Sequence, residues 1–102
     1  MTKISFKEKD NEIKVVVDGH ADFKKFGEDI VCASISTALT MTINAIDNLG
    51  YNVKDLVYSE GYSTFTVESN DNTKAIIKTF KEVVSQLSEE HPKNVKIIKQ
   101  ED

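Results

Sequence analysis

The stretch Glu28-Asp29-Ile30-Val31-Cys32-Ala33-Ser34-Ile35-Ser36-Thr37-Ala38-Leu39-Thr40-Met41-Thr42-Ile43-Asn44-Ala45-Ile46-Asp47-Asn48-Leu49 decides the fold. Val31, Ile35, Leu39, Thr42, Ile46 and Leu49 recur in it at three- and four-residue steps, the spacing of a helix that lays one face on a sheet. Glu28 and Asp29 fall where the helix dipole favours negative charge, and Gly50 stands where a left-handed residue ends the helix.

On either side of this helix the period changes from 3.6 to 2. Upstream, residues 3 to 7 alternate with Ile4 and Phe6 on one side, and residues 13 to 17 do the same with Ile13, Val15 and Val17. The polar link Glu8-Lys9-Asp10-Asn11 turns them into a β-hairpin with one apolar face. Downstream, Val53 to Tyr58 and Tyr62 to Glu68 form a second hairpin, turning near Glu60-Gly61, with Phe65 and Val67 on one side and Tyr62, Thr64 and Thr66 on the other. Asn70-Asp71-Asn72 offers caps for a second helix whose stripe is Ile76, Phe80, Val83, Val84 and Leu87, with Pro92 just past its end. Val95 and Ile97 alternate with lysines in a final strand.

The expected order is β-β-α-β-β-α-β, an α+β two-layer sandwich with two helices on one face of a mostly antiparallel sheet. The opposite face, bearing Tyr62 and Thr66, is then left exposed or used in dimer contact. With 102 residues, no linker and no low-complexity segment, the chain reads as one domain over 1–102. No apolar run approaches the ~20 residues that cross a bilayer, and Met1 to Lys7 lacks the apolar region of a signal peptide. A single cysteine forms no internal disulfide, so the expected compartment is the cytoplasm, with no membrane partner. A net charge of −4 argues against direct nucleic-acid binding and suits a basic partner.

Cys32 is the residue with the most chemistry to offer. It lies twelve positions after His20, in the setting Gly19-His20-Ala21 … Gly27-Glu28-Asp29-Ile30-Val31-Cys32. The first group ends a strand and the second opens the helix, so the loop between them can fold an imidazole back beside the thiol. A thiol with an ordinary pKa of ~8.5 is mostly protonated near neutrality, and an imidazolium and a helix N-terminus both favour the thiolate. The alternative is plain: a free cysteine often only fills a core. Three metal ligands from His20, Asp29 and Cys32 would be a poor zinc set, which usually takes more His or Cys, and His91 by Pro92 sits at the far helix end. Neither a metal nor any other cofactor is expected.

Gly19-His20-Ala21, followed by Asp29-Ile30-Val31-Cys32-Ala33 and then Ser36, resembles the signature of the ribosomal-processing cysteine proteases of Firmicutes and related bacteria. The sharp motif covers about residues 18 to 36. The resemblance implies an α/β sandwich that forms homodimers and removes an N-terminal extension from large-subunit ribosomal protein twenty-seven. His20 and Cys32 would be the catalytic dyad, in a hydrolase that cuts after a hydrophobic aromatic segment. Ser34 stands where the family more commonly shows alanine or glycine.

Supporting roles follow from position. Asp29, three residues before Cys32, shares its helical face; its useful role is to orient His20 or bind substrate backbone, since a carboxylate aimed at sulfur opposes the thiolate. Its bland reading is a first-turn charge. Ser36, one turn beyond Cys32, could hydrogen-bond the sulfur or a substrate carbonyl, or merely be small where helix meets sheet. Gly19 and Gly27 bracket Asp22-Phe23-Lys24-Lys25-Phe26, a candidate lid in which Phe23 and Phe26 line an apolar pocket or pack down on the sheet. Backbone N–H groups at the helix start, including that of Cys32, are the expected oxyanion donors. The rival to an enzyme is a non-catalytic module of the same fold that docks on a basic ribosomal-protein tail.

Overall fold

The computed structural model describes residues 1–19 and 26–99, with the backbone alone for 26–29 and 99. Two hairpins, two helices and a last strand follow in the expected order. Strands β1 (Thr2–Lys9) and β2 (Glu12–Asp18) pair antiparallel in the register Ile4↔Val17, Phe6↔Val15 and Glu8↔Ile13. Their turn is Asp10-Asn11, with φ of 53° and 66°. Two successive left-handed residues match the twist of the strands, and Asp and Asn are the non-glycine residues that adopt this conformation most readily.

β3 (Lys54–Ser59) and β4 (Tyr62–Glu68) form the second hairpin, and β5 (Val95–Lys99) lies parallel to β1. The sheet order is β3-β4-β2-β1-β5, so β3 and β5 are the edges and the sheet is antiparallel except at β5. Helices α1 (Phe26–Asn48) and α2 (Asp71–Glu90) supply Val31, Ile35, Leu39 and Ile46, and Ile77, Phe80 and Val84, to a single core. The strands meet them with Ile4, Ile13, Val15, Val17, Phe65, Val67 and Val95. Each such side chain contributes about 1.5–3 kcal/mol by leaving water.

The ends of the helices show which local chemistry prevailed. α1 closes with the Gly50 N–H donating to the Asp47 carbonyl at 2.9 Å and the Tyr51 N–H to the Ile46 carbonyl at 3.3 Å, with Gly50 at φ 88°. That double closure is a Schellman motif. It turns Leu49, expected in the buried stripe, out to solvent, and Tyr51 packs against the core instead. α2 starts with a capping box in which Asn70 Oδ1 accepts from the Thr73 N–H at 2.9 Å and Thr73 Oγ1 accepts from the Asn70 N–H at 3.0 Å. Thr73 also donates to the Glu68 carbonyl at 2.7 Å, so its hydroxyl is satisfied although fully buried. The buried row is Thr73, Ile77, Phe80 and Val84, flanked by half-buried Ile76 and Leu87. Val83, expected in that row, is exposed.

Two further expectations change. Thr64 and Thr66, placed on the open face of the sheet, are buried even there, because each sits on an inner strand between neighbours of the same row. Val16 and Val57 flank Thr64, and Lys14 and Lys54 flank Thr66, leaving only Tyr62 of that set exposed. The stretch Ile30–Asn48 is, by length and apolar content, long enough to cross a bilayer, against the reading that no run approaches that length. In this fold its Val31, Ile35, Leu39 and Ile46 form α1's share of the core.

Candidate active site around Cys32

α1 presents its core row to the sheet and a second row beside it. Cys32, Ser36 and Thr40 follow one another at four-residue steps along that second row, half-buried, exposed and exposed in turn. Tyr58 on edge strand β3 reaches this row: its hydroxyl lies 2.9 Å from the Thr40 hydroxyl and donates to the Ser36 carbonyl at 3.4 Å. The edge of the sheet is thereby tied to α1 one and two turns beyond the thiol. Ser34 donates to the Ile30 carbonyl at 2.8 Å, an ordinary bond back along the helix.

Gly19 ends β2 in a conformation closed to other residues. Its φ is 114°, and a Cβ there would lie 2.3 Å from the Met1 carbonyl oxygen. Its own N–H donates to the Gly61 carbonyl at 2.9 Å, and the Thr2 hydroxyl donates to its carbonyl at 3.5 Å. Gly61 turns the hairpin whose Tyr58 grips α1. One hairpin therefore holds both the point where the chain leaves β2, just before His20, and the half of α1 that carries Cys32. Gly19 is needed for close approach and left-handed backbone, a stricter demand than the hinge read from sequence. Gly19→Ala is expected to cost about 2–4 kcal/mol of folding stability from strain and overpacking. Urea unfolding monitored by circular dichroism measures this; a loss below ~0.5 kcal/mol would show that the β1 terminus yields at little cost.

The other expected site residues divide. His20 and Phe23, with the rest of the loop between Gly19 and Phe26, lie outside the described residues. Phe26 and Gly27 belong to α1 and not to that loop, and Asp29 stands in the first turn, three residues before Cys32; the side chains of Phe26 and Asp29 also lie outside the described set. Because α1 begins at Phe26, two residues before Glu28, Cys32 is its seventh residue. The free N–H groups of a helix are its first four, so the Cys32 N–H is engaged within the helix and is not an oxyanion donor. In α1 those free donors end at residue 28. Tyr58 was not singled out from sequence; the only signal was an aromatic residue in a polar-flanked strand, which does not say which face it takes.

Residues 1–96 match the protein family described as Cysteine protease Prp. The chain is 33% identical over 87 residues to the ribosomal processing cysteine protease Prp of Staphylococcus aureus, covering 81% of this chain and 82% of that protein. Its fold is similar to the crystal structure of an essential ribosomal processing protease Prp from S. aureus in complex with a substrate peptide, with a TM-score of 0.79, 27% identity, and 98% of this chain and 100% of the other covered. A structure of the S. aureus protease in complex with a covalently linked product peptide is similar at a TM-score of 0.78 and 29% identity, covering 98% of this chain and 100% of the other.

Proposed function

This chain belongs to the Prp cysteine protease family, and from that premise we propose that it is an endopeptidase removing the N-terminal extension of large-subunit ribosomal protein twenty-seven, with Cys32 as nucleophile and His20 as acid and base. The observation that carries this reading is the half-buried Cys32 on α1, the one cysteine of a chain whose S. aureus relative has been crystallised with a covalently linked product peptide.

In this mechanism the Cys32 thiolate adds to the scissile carbonyl carbon, and the carbonyl oxygen takes the negative charge. The imidazolium of His20 gives its proton to the departing amine as the C–N bond breaks, leaving a thioester on Cys32. Neutral His20 then takes a proton from water, whose oxygen attacks the thioester and releases the carboxylate and the thiolate. Asp29 holds and charges His20 from the first turn of α1. The first-turn amides of residues 26–28 are the helix donors open to an oxyanion or substrate carbonyl. Ser36, exposed one turn beyond the sulfur, contacts the peptide backbone.

The test mixes the purified protein with the full-length, extended ribosomal protein of its own organism and reads masses. Two products summing to the precursor plus one water support the peptidase. An intact precursor that co-elutes with the chain would instead make it a docking module on the basic tail.

A further inference from the structure

The face of the sheet turned away from the helices is basic, although the whole chain carries a net charge of −4. In the strand register Lys54, Lys14 and Lys7 share one row and Lys3 and Lys96 another, with Val57, Val16 and Ile98 in the row between them. Lys9 adds a sixth lysine at the hairpin end. The carboxylates at paired positions of this face are Glu12 and Glu68 beyond the first lysine row and Asp18 in the second, and Lys54 bonds to Glu12. Six lysines stand against three acids, so the excess acid of the chain lies off this face.

Two pairs of these lysines are direct cross-strand neighbours: Lys7 opposite Lys14, and Lys3 beside Lys96. Like charges at such positions oppose sheet formation. A sheet that keeps both pairs on one face gives up stability that a polyanionic partner would restore. Lys3, Lys14, Lys54 and Lys96 are exposed, so the charge is open to such a partner.

We propose that this face docks single-stranded nucleic acid, with phosphates on the two lysine rows and bases against Tyr62 and Val57, which are 41% and 44% exposed. Charge complementarity selects a polyanion. Placement selects a nucleic-acid strand over an acidic peptide: peptides are commonly taken at a sheet edge or in a groove, whereas these lysines lie on the face and span β3 to β5. At ~4.8 Å between neighbouring strands that is about 19 Å of width. A sheet face with an exposed aromatic is a platform on which bases stack. A second copy is disfavoured, because an isologous contact would set a net-positive face against itself.

The probe is a fluorescein-labelled single-stranded RNA of about ten nucleotides, read by anisotropy. With about four phosphates neutralised, the logarithm of the affinity should fall with that of salt at a slope of about −3. Lys14→Glu with Lys96→Glu is expected to raise Kd about tenfold or more. Each substitution places a carboxylate beside Lys7 or Lys3, so the melting temperature should hold or rise. Lys74→Glu with Lys78→Glu changes the net charge equally at exposed positions of α2 and should leave Kd within about twofold. An equal loss in both double variants, or no binding at about 100 μM protein in low salt, overturns the proposal. Equally tight binding of a polyglutamate peptide of the same charge also overturns it, by assigning the face to an acidic protein segment. A change in light-scattering mass with the face variant does so by assigning it to a second copy. Peptide cleavage plays no part in these readouts, so failure of the peptidase reading leaves the test intact.

Discussion

Cys32→Ala is expected to abolish cleavage of the extended ribosomal protein, by about 10⁴-fold or more, while leaving the protein folded and able to bind the peptide. The magnitude follows from removing a nucleophile outright: the remaining groups position the scissile bond but have nothing to form the thioester, and losses on this scale are usual when a covalent catalyst is deleted. The retained fold follows from the location. Cys32 is half-buried on the flank of α1, beside and not within the row Val31, Ile35, Leu39 and Ile46, so trading a thiol for a methyl opens no void in the core. Product formation by mass spectrometry measures the first effect, and thermal unfolding with peptide binding measures the second. Turnover above about 1% of wild type would remove Cys32 from the mechanism, whereas lost activity with lost folding would leave its role to a Cys32→Ser comparison.

The layering was legible from residues whose neighbours are local. The α1 stripe, the return strand β4 and the Asn70 cap depend on spacing within one element, and the structure keeps Val31, Ile35, Leu39, Thr42 and Ile46 inward, β4 at Tyr62–Glu68, and Asn70 on Thr73. What was not legible depends on competition between near-equal neighbours or on distant chain. Val83 and Ile77 are both β-branched and sit on adjacent helical faces; only the position of the sheet, with Phe6 packed 6.0 Å from Phe80 between ring centroids, decides that Ile77 goes in. Leu49 loses to Tyr51 because the closing turn at Gly50 rotates the chain after the last helical residue. The site divides the same way. Cys32 and Ser36 were readable as one helical face. The demand for glycine at position 19 comes from the Met1 carbonyl, and the grip of Tyr58 on Ser36 comes from a strand more than twenty residues away; neither leaves a mark in local sequence.

His20→Ala is expected to lower kcat by about 10²–10⁴-fold, the usual worth of a positioned acid–base group, and to slow alkylation of Cys32 by iodoacetamide near neutral pH. The reasoning starts from Gly19. Its N–H is bound to the Gly61 carbonyl and its backbone is pressed against Met1, so the residue that follows departs from a fixed point at the end of β2. The hairpin that fixes this point also holds α1 through Tyr58, Thr40 and Ser36, which brings Gly19 and the Cys32 half of the helix to the end of the sheet where β3 turns into β4. Cys32, seven residues into α1, lies beyond the free amides of the first turn, so in the proposed dyad the activating role falls to His20. The two readouts separate the roles of the imidazole. A fall in kcat with slower alkylation means that His20 both supports the thiolate and moves the proton. A fall in kcat with alkylation unchanged means that His20 serves only the leaving amine and water, and the thiolate would then have to be sustained by the helix alone. Unchanged values of both would end the dyad.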